Sequence, residues 1–223
     1  MRPLDDLLEK TDPAIRQIEQ SVADAANHCE ILPPSGTRDR VVHELQVTTR
    51  STLGAIAYET GGILVDDGWL RFLGSGHTKL PRNLADWNRG RSEGFLLVAD
   101  DAVGGFFAVN GGALGNGVKN VHYWPPDGLE WEDLGIGLTD FLLWSLSSQL
   151  PEFYTNLRWP TWKAEVAQLA GDRCFAFYPF LWTKEGSLAG SDRRSVPVAE
   201  AFDLKVDLLR QLQQGRDPPQ TSG

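Results

Sequence analysis

Short apolar runs, separated by glycine and aspartate turns, fill the middle of this chain from residue 61 to residue 150. The runs are as long as typical strands and cover residues 63–65, 69–73, 94–99, 105–109 and 118–124. Asp66-Asp67-Gly68 has the chemistry of a tight turn between the first two runs. Pro125-Pro126 ends the last run, because proline cannot donate to a strand ladder. The pattern predicts an antiparallel sheet.

In residues 1–60, before the predicted sheet, the apolar positions mostly have the spacing of α-helices. Asp12 followed by Pro13 is typical of a helix start, and the apolar residues after it recur at helical spacing. The other predicted elements of this zone are a short strand over residues 28–32, a helix from about residue 37 and a helix over residues 53–59.

The pattern changes again after the sheet. Residues 139–150 are apolar nearly all round, which predicts a buried helix. The later predicted elements are a helix over 160–169, a strand over 174–178, a polar loop over 183–195 and an amphipathic helix over 198–212. We therefore expect one α+β domain over residues 1–212, with a mainly antiparallel sheet and surrounding helices. Its zones are a helical segment 1–60, a sheet core 61–150 and a mixed segment 151–212, followed by a flexible tail 213–223.

Composition narrows the class of protein. The chain has 223 residues and is 41% hydrophobic, as expected of a globular protein with a core. Its net charge of −9 argues against nucleic-acid binding, which needs a basic surface to replace the counterions on phosphates. No apolar run approaches the roughly 20 residues that span a bilayer, and the acidic N-terminus does not resemble a signal peptide. We expect a cytoplasmic protein with no membrane contact, in which Cys29 and Cys174 are buried thiols.

The sequence carries none of the common catalytic or cofactor motifs. It has no P-loop, no G-x-G-x-x-G, no H-E-x-x-H, no G-x-S-x-G and no C-x-x-C. The four histidines are scattered, and none has the i, i+4 spacing of a helical metal pair. We therefore expect no metal and no cofactor. His122 is interpreted as a hydrogen-bonded core or edge residue, His77 as an exposed loop residue, and Cys174 as a packed, inert thiol.

Carboxylates occur in three groups. Asp66-Asp67 and Asp100-Asp101 lie in predicted turns, where aspartate bonds nearby backbone N–H groups, although a cation site or an acid/base pair is an alternative. The third group consists of Asp127, Glu130, Glu132 and Asp133. Tryptophan is interleaved with these carboxylates, and no Lys or Arg lies between Asp127 and Asp140. One interpretation is a solvated loop leading into a helix N-terminus. The other is a binding surface for a basic protein partner, with Trp131 as the anchor.

Three runs of the chain resemble the bacterial domain of unknown function 2625 family. They are GAIAYETGGILVDDGWLRFLGSG, GFLLVADDAVGGFFAVNGGALG and VHYWPPDGLEWEDLGIGLTDFLLWSL. The resemblance extends from about Leu4 to Leu212. It is most specific at Gly61-Gly62, Trp69, Gly74, Asp100, Gly104-Gly105, Trp124 and Phe141. The family name implies no activity.

The middle zone also resembles, more distantly, the SUKH superfamily. The shared pattern is a helix, a glycine pair, a hydrophobic strand, a helical turn with Trp87-Asn88, a hairpin, a strand ending in tryptophan and a helix with Phe141-Leu142. This resemblance implies an α+β fold with an antiparallel sheet. It also implies the role of an immunity protein, which binds and neutralises a toxin, often a nuclease. Residues 151–223 have no counterpart in that pattern.

Two classes of function remain open. The first is a non-enzymatic binding protein, immunity-like, whose partner is a basic protein bound by Asp127, Glu130, Trp131, Glu132 and Asp133. The second is an enzyme acting on small molecules, with a site assembled from dispersed polar residues that include Arg71, His77, Asp100 and His122. The absence of a catalytic motif favours the first. The sequence indicates neither the identity of a partner nor the oligomeric state.

Overall fold

A seven-stranded antiparallel sheet forms the centre of the protein, which a computed structural model describes over residues 1–214. Its strands are β1 (Cys29–Leu32), β2 (Gly62–Val65), β3 (Leu70–Leu73), β4 (Phe95–Asp101), β5 (Phe106–Asn110), β6 (Val121–Trp124) and β7 (Glu132–Asp133). They lie side by side in chain order, and each neighbouring pair is antiparallel. The predicted fold class is confirmed, since the sheet is a simple meander with helices around it.

Both faces of this sheet are covered. Phe72 and Phe107 point to one face and pack on Phe141, with ring centroids 5.2 and 4.7 Å away. Phe106 and Trp124 point to the other face and contact Phe202. This is why the strands read as continuous apolar runs and not as alternating ones.

Eight α-helices surround the sheet in the described part of the chain. They are α1 (Ile15–Ala23), α2 (Arg38–Leu45), α3 (Thr52–Glu59), α4 (Leu84–Asn88), α5 (Leu138–Ser145), α6 (Gln149–Phe153), α7 (Trp162–Val166) and α8 (Val198–Gln214). Short 3₁₀ turns occur at Leu4–Asp6 and Thr155–Leu157. Helix α4 begins after Asn83, whose side chain accepts a hydrogen bond from the N–H of Asp86. None of the described helices is both long and apolar enough to cross a membrane.

A second, two-stranded sheet lies in the C-terminal segment. Strand β8 (Arg173–Tyr178) pairs antiparallel with β9 (Asp192–Pro197). Strand β8 was predicted, but the polar loop predicted over residues 183–195 is wrong at its end, where β9 begins. The sequence of β9 is polar because most of its residues are exposed. The predicted flexible tail, 213–223, lies outside the described residues except for the last two positions of α8.

Two helices are shorter than predicted. The predicted buried helix over residues 139–150 ends at Ser145, and a separate helix begins at Gln149. Ser147 interrupts it, since its hydroxyl donates to the carbonyl of Trp144 and accepts from the N–H of Gln149. The helix predicted over residues 160–169 is limited to Trp162–Val166.

Candidate functional site

Residues 125–135, which we call the acidic segment, follow β6 and include β7 at one edge of the main sheet. Sequence reasoning gave this segment as a loop and missed β7. The strand is two residues long, with both side chains exposed, so no apolar run marks it. His122 pairs with Asp133 and Tyr123 with Glu132 in the β6–β7 ladder. The segment is therefore tied to the sheet.

The carboxylates of the acidic segment differ in their surroundings. Asp133 accepts hydrogen bonds from the side-chain amide of Asn120 and from the N–H of Gly135. The bond from Gly135 and the amide of Asn120 lower the pKa of Asp133. Asp127, Glu130 and Glu132 are exposed, and within residues 1–214 they form no ion pair and no side-chain hydrogen bond. Three carboxylates of the segment are thus unmatched there.

Trp131 is half-buried at the base of the acidic segment. Its ring packs on Phe95 at 5.6 Å and on Trp124 at 5.1 Å between centroids. The indole is therefore held in place by the protein's own core, and part of it stays accessible to solvent. It is neither a fully exposed anchor nor a fully buried core residue.

Lys205 lies beneath the start of the acidic segment. This residue is 2% exposed, donates to the carbonyl of Pro125, and has its ammonium 4.9 Å from the Trp124 ring. Burial lowers the pKa of Lys205 to about 7. Sequence reasoning did not identify it, although it falls on the apolar stripe of α8 between Phe202 and Leu209, where a charged residue is unexpected.

The second pair of aspartates does not lie in an exposed turn. Asp100 and Asp101 belong to β4 and are fully buried. Asp100 forms ion pairs with Arg71 and with Arg82, the latter at 2.5 Å. We call these three residues the arginine cluster. The turn interpretation is wrong for Asp100, because a strand places it opposite Arg71 in the register between β3 and β4.

The neighbouring Asp101 does bond backbone N–H groups, as predicted. One of its oxygens accepts from the N–H groups of Val103 and Gly105 at 3.0 and 2.7 Å. The other oxygen accepts from the hydroxyls of Tyr123 and Tyr154 at 2.8 and 3.1 Å. Burial raises the pKa of Asp101 and of both tyrosines. Each group has a partner inside the core, so this network holds the hairpin in place.

The first pair of aspartates does occupy a turn. Asp66 and Asp67 have positive φ angles of 51° and 60°, a conformation that aspartate tolerates better than most residues. Asp66 also pairs with Arg158 at 2.5 Å, and the Arg158 guanidinium lies 4.2 Å from the centre of the Trp162 ring. This contact ties the turn to the C-terminal segment.

The dispersed residues of the enzyme hypothesis are only partly brought together. Arg71 and Asp100 meet in the arginine cluster. His122 is buried on β6 with no hydrogen-bond partner for its Nδ1, and His77 is half-buried in a turn where it bonds Lys79. In the described chain neither histidine contacts the arginine cluster through a hydrogen bond or an ion pair. No group of three or more metal-ligating side chains occurs in residues 1–214 either.

The two cysteines are free thiols. Cys174 is buried in β8, as predicted, and burial raises its pKa to about 12. Cys29 is only half-buried, in β1, so the prediction of a buried thiol is wrong there. Burial still raises the pKa of Cys29 to about 11. Neither side chain has the lowered pKa of a reactive thiolate.

An open cleft of about 570 Å³ lies at the opposite end of the sheet from the acidic segment. Its floor is a row of paired residues on β1, β2 and β3, namely Glu30, Leu64 and Arg71. The end of α7 and the loop after it form its roof. A Cβ on Gly171 of that loop would clash with the carbonyl oxygen of Lys79, so only glycine lets the loop pack this closely against Lys79 at the side of the cleft.

Comparison with known proteins gives the family. The model of the protein family described as "Protein of unknown function DUF2625" matches residues 4–201. The chain belongs to this family. The family resemblance inferred from the sequence is confirmed.

Two bacterial relatives of this DUF2625 chain align over most of its length. A protein named putative uncharacterized protein YbfG, of Escherichia coli K12, is 40% identical over 212 residues, which are 93% of this chain and 97% of the relative. An uncharacterized protein of Haemophilus influenzae is 41% identical over 206 residues, 89% of this chain and 90% of the relative. Neither name states an activity, and the SUKH resemblance stays a prediction.

Proposed function

We propose that this protein is a cytoplasmic, non-catalytic binding protein that captures a basic protein partner with the acidic segment. The partner-binding residues are Asp127, Glu130, Trp131, Glu132 and Asp133. The observation that carries the proposal is that three of these carboxylates are exposed at a sheet edge and form no ion pair within residues 1–214. A cationic partner would supply the missing charge.

Electrostatics favour this surface for steering. The chain carries a net charge of −9, so it attracts a basic protein over a distance of about 8–10 Å at moderate salt. Carboxylates on the rim of an interface act mainly on the association rate. The acidic segment is fixed by the β6–β7 ladder, which keeps Glu132 in one place and reduces the entropy lost on binding.

Trp131 supplies an apolar anchor beside this charge. Because Phe95 and Trp124 already hold the ring, binding would cover its exposed part without ordering a mobile side chain. Asp133 has a different role from its neighbours. It bonds Asn120 and Gly135, so it shapes the segment and contributes charge at the same time.

The order of elements supports an immunity-like role. From α3 to α5 the chain runs through a glycine pair, two strands, the helix with Trp87, a hairpin and a strand that ends at Trp124. Apart from the additional strands β3 and β7, this is the order on which the SUKH resemblance rests. An immunity protein neutralises a toxin by binding alone, which agrees with an acidic surface that needs no catalytic group.

A charge-neutral variant of the acidic segment tests the proposal. The variant carries Asp127→Asn, Glu130→Gln and Glu132→Gln, and leaves Asp133 in place because of its bonds within the segment. The matched control removes the same charge elsewhere, with Asp5→Asn, Glu19→Gln and Glu152→Gln, all exposed and without ion pairs in the described chain. Both variants and the parent protein are used for affinity purification from cells of the source organism.

The expected result is a basic protein that the parent and the control retain and the charge-neutral variant loses. Raising the salt in the wash should release it from the parent as well. Trp131→Ala should mainly raise the dissociation rate of this partner, whereas Trp131→Phe should preserve most of the residence time. Equal retention by the charge-neutral variant and the control would place the binding surface elsewhere and refute the proposal.

A further inference from the structure

The geometry points to a second site: the cleft above β1–β3 binds a small zwitterion of the α-amino acid class with an apolar side chain. The cleft holds about 570 Å³, within the range of about 300–1,000 Å³ that is typical of small-molecule sites. It lies at the other end of the sheet from the acidic segment, so the inference does not depend on the proposed partner.

The arginine cluster, of which only Arg71 lines the cleft, carries an excess of positive charge. Two guanidinium groups, those of Arg71 and Arg82, share the single carboxylate of Asp100. Their other bonds go to uncharged carbonyl oxygens, of Arg173 and Asp101 for Arg71 and of Gly171 for Arg82. The Nε atoms of both arginines have no acceptor. Arg71 lines the cleft although it is only 3% exposed, so a carboxylate in the cleft would offset its charge.

The rim of the cleft offers one unmatched negative charge. Glu30 is paired with Lys79 at 2.7 Å and Asp67 with Lys163 at 3.3 Å, so these charges offset each other. Asp172 also lines the cleft, is exposed, and forms no ion pair within residues 1–214. It precedes Arg173, whose carbonyl accepts from Arg71. The ammonium group of a bound α-amino acid could therefore contact Asp172 while the carboxylate of the same ligand faces Arg71.

The roof of the cleft is apolar. It is made by Val166, Ala167, Leu169 and Ala170, at and after the end of α7. With Leu64 on the floor, these side chains form a wall for the apolar part of a ligand. The charges also exclude other ligands. A dianion such as inorganic phosphate would bring a second negative charge close to Asp172, which has no ion-pair partner within residues 1–214.

Three compounds with one phenyl ring separate the contributions of the two charges. L-phenylalanine has both charged groups, 3-phenylpropionate lacks the ammonium, and phenethylamine lacks the carboxylate. Each is titrated into the full chain by calorimetry and by amide NMR. We expect L-phenylalanine to bind about tenfold more tightly than 3-phenylpropionate, and phenethylamine to bind least. The amide signals that move should include those of Gly68 and Gly171, which line the cleft.

Three variants, none of which alters the arginine cluster, test whether the ligand binds in the cleft. Ala167→Trp puts an indole into the cleft from the roof, whereas Ala164→Trp adds the same ring to α7 at an exposed position that does not line the cleft. Binding of L-phenylalanine should be lost at least tenfold in the first and unchanged in the second. Asp172→Asn should remove the preference for L-phenylalanine over 3-phenylpropionate and leave binding of the latter intact or stronger.

Three outcomes would overturn the assignment. One is the absence of saturable binding of L-phenylalanine at concentrations up to about 10 mM. Another is binding of phenethylamine as tight as that of L-phenylalanine, because Arg71 would then have no role. The third is an equal loss of affinity in the Ala164 and Ala167 variants, which would show that the ligand binds outside the cleft.

Discussion

Two regions of the molecule use carboxylates in opposite ways. In β4, Asp100 and Asp101 are buried and every oxygen faces an arginine, a tyrosine or a backbone N–H group. In the acidic segment, Glu130 and Glu132 are exposed and unmatched within the described residues. The residue types are nearly the same, so the difference comes from burial alone.

The comparison separates a structural role from a binding role. A buried carboxylate persists only with partners, because removing a charge from water costs several kcal/mol. An exposed carboxylate has no such requirement and contributes little to stability, so its charge is available to an external cation. The arginine cluster lies between these cases, since it is buried but has more positive than negative charge.

The largest expected effect is that of Asp100→Asn. The change leaves the guanidinium groups of Arg71 and Arg82 buried without a countercharge, and should lower the free energy of unfolding by about 3–5 kcal/mol. Urea denaturation followed by tryptophan fluorescence measures it. Replacing the whole cluster, with Arg71→Met, Arg82→Met and Asp100→Leu, should recover much of the loss. A cost below about 1 kcal/mol for Asp100→Asn would contradict the distinction between the two regions.

Replacing Lys205 should have an intermediate effect on the free energy of unfolding, and this effect should depend on pH. Its pKa in the folded protein is about 7, below its ordinary value of 10.5, because burial disfavours the charged form. Between these pH values the unfolded chain binds more protons than the folded one, so the free energy of unfolding should rise with pH from about 7 to 10.5. Lys205→Met should remove this rise and stabilise the protein at neutral pH, as measured by urea denaturation at several pH values. A slope unchanged by Lys205→Met would show that another group causes it.

The smallest expected effect is that of Glu130→Gln together with Glu132→Gln. Neither side chain has a partner in the described chain, so the free energy of unfolding should change by less than about 0.5 kcal/mol. The same urea experiment measures it. A loss above about 1 kcal/mol would mean that the acidic segment has a structural role after all, and would remove the basis for treating it as a binding surface.

Sequence reasoning was most successful where chemistry is local. The hairpin turn at Asp66-Asp67-Gly68 and the end of a strand at Pro125 depend on residues next to each other, and the strands that they bound are confirmed. It failed for β7 and β9, which are short or polar strands. Such strands exist because a neighbouring strand offers free backbone groups, and no hydrophobic pattern records that neighbour.

The two candidate sites also differ in whether neighbouring or distant residues form them. The acidic segment could be identified from its sequence, because its charged residues are consecutive. The cleft could not, because Glu30, Arg71 and Asp172 are far apart in the chain and meet only through sheet register and the packing of a distant loop. A charged residue inside an apolar run, as in Leu70–Leu73, was the one available signal of the arginine cluster.

The sequence by itself determined the family, the α+β class, the order of most strands and helices, and the exposed acidic segment. Tertiary structure alone decided which charges are matched. It buried Asp100 between two arginines, placed Lys205 under Pro125, and held Trp131 between two aromatic rings. The physical reason is that the free energy of a charge depends on its solvent and its neighbours, and both are set by contacts between residues distant in the chain.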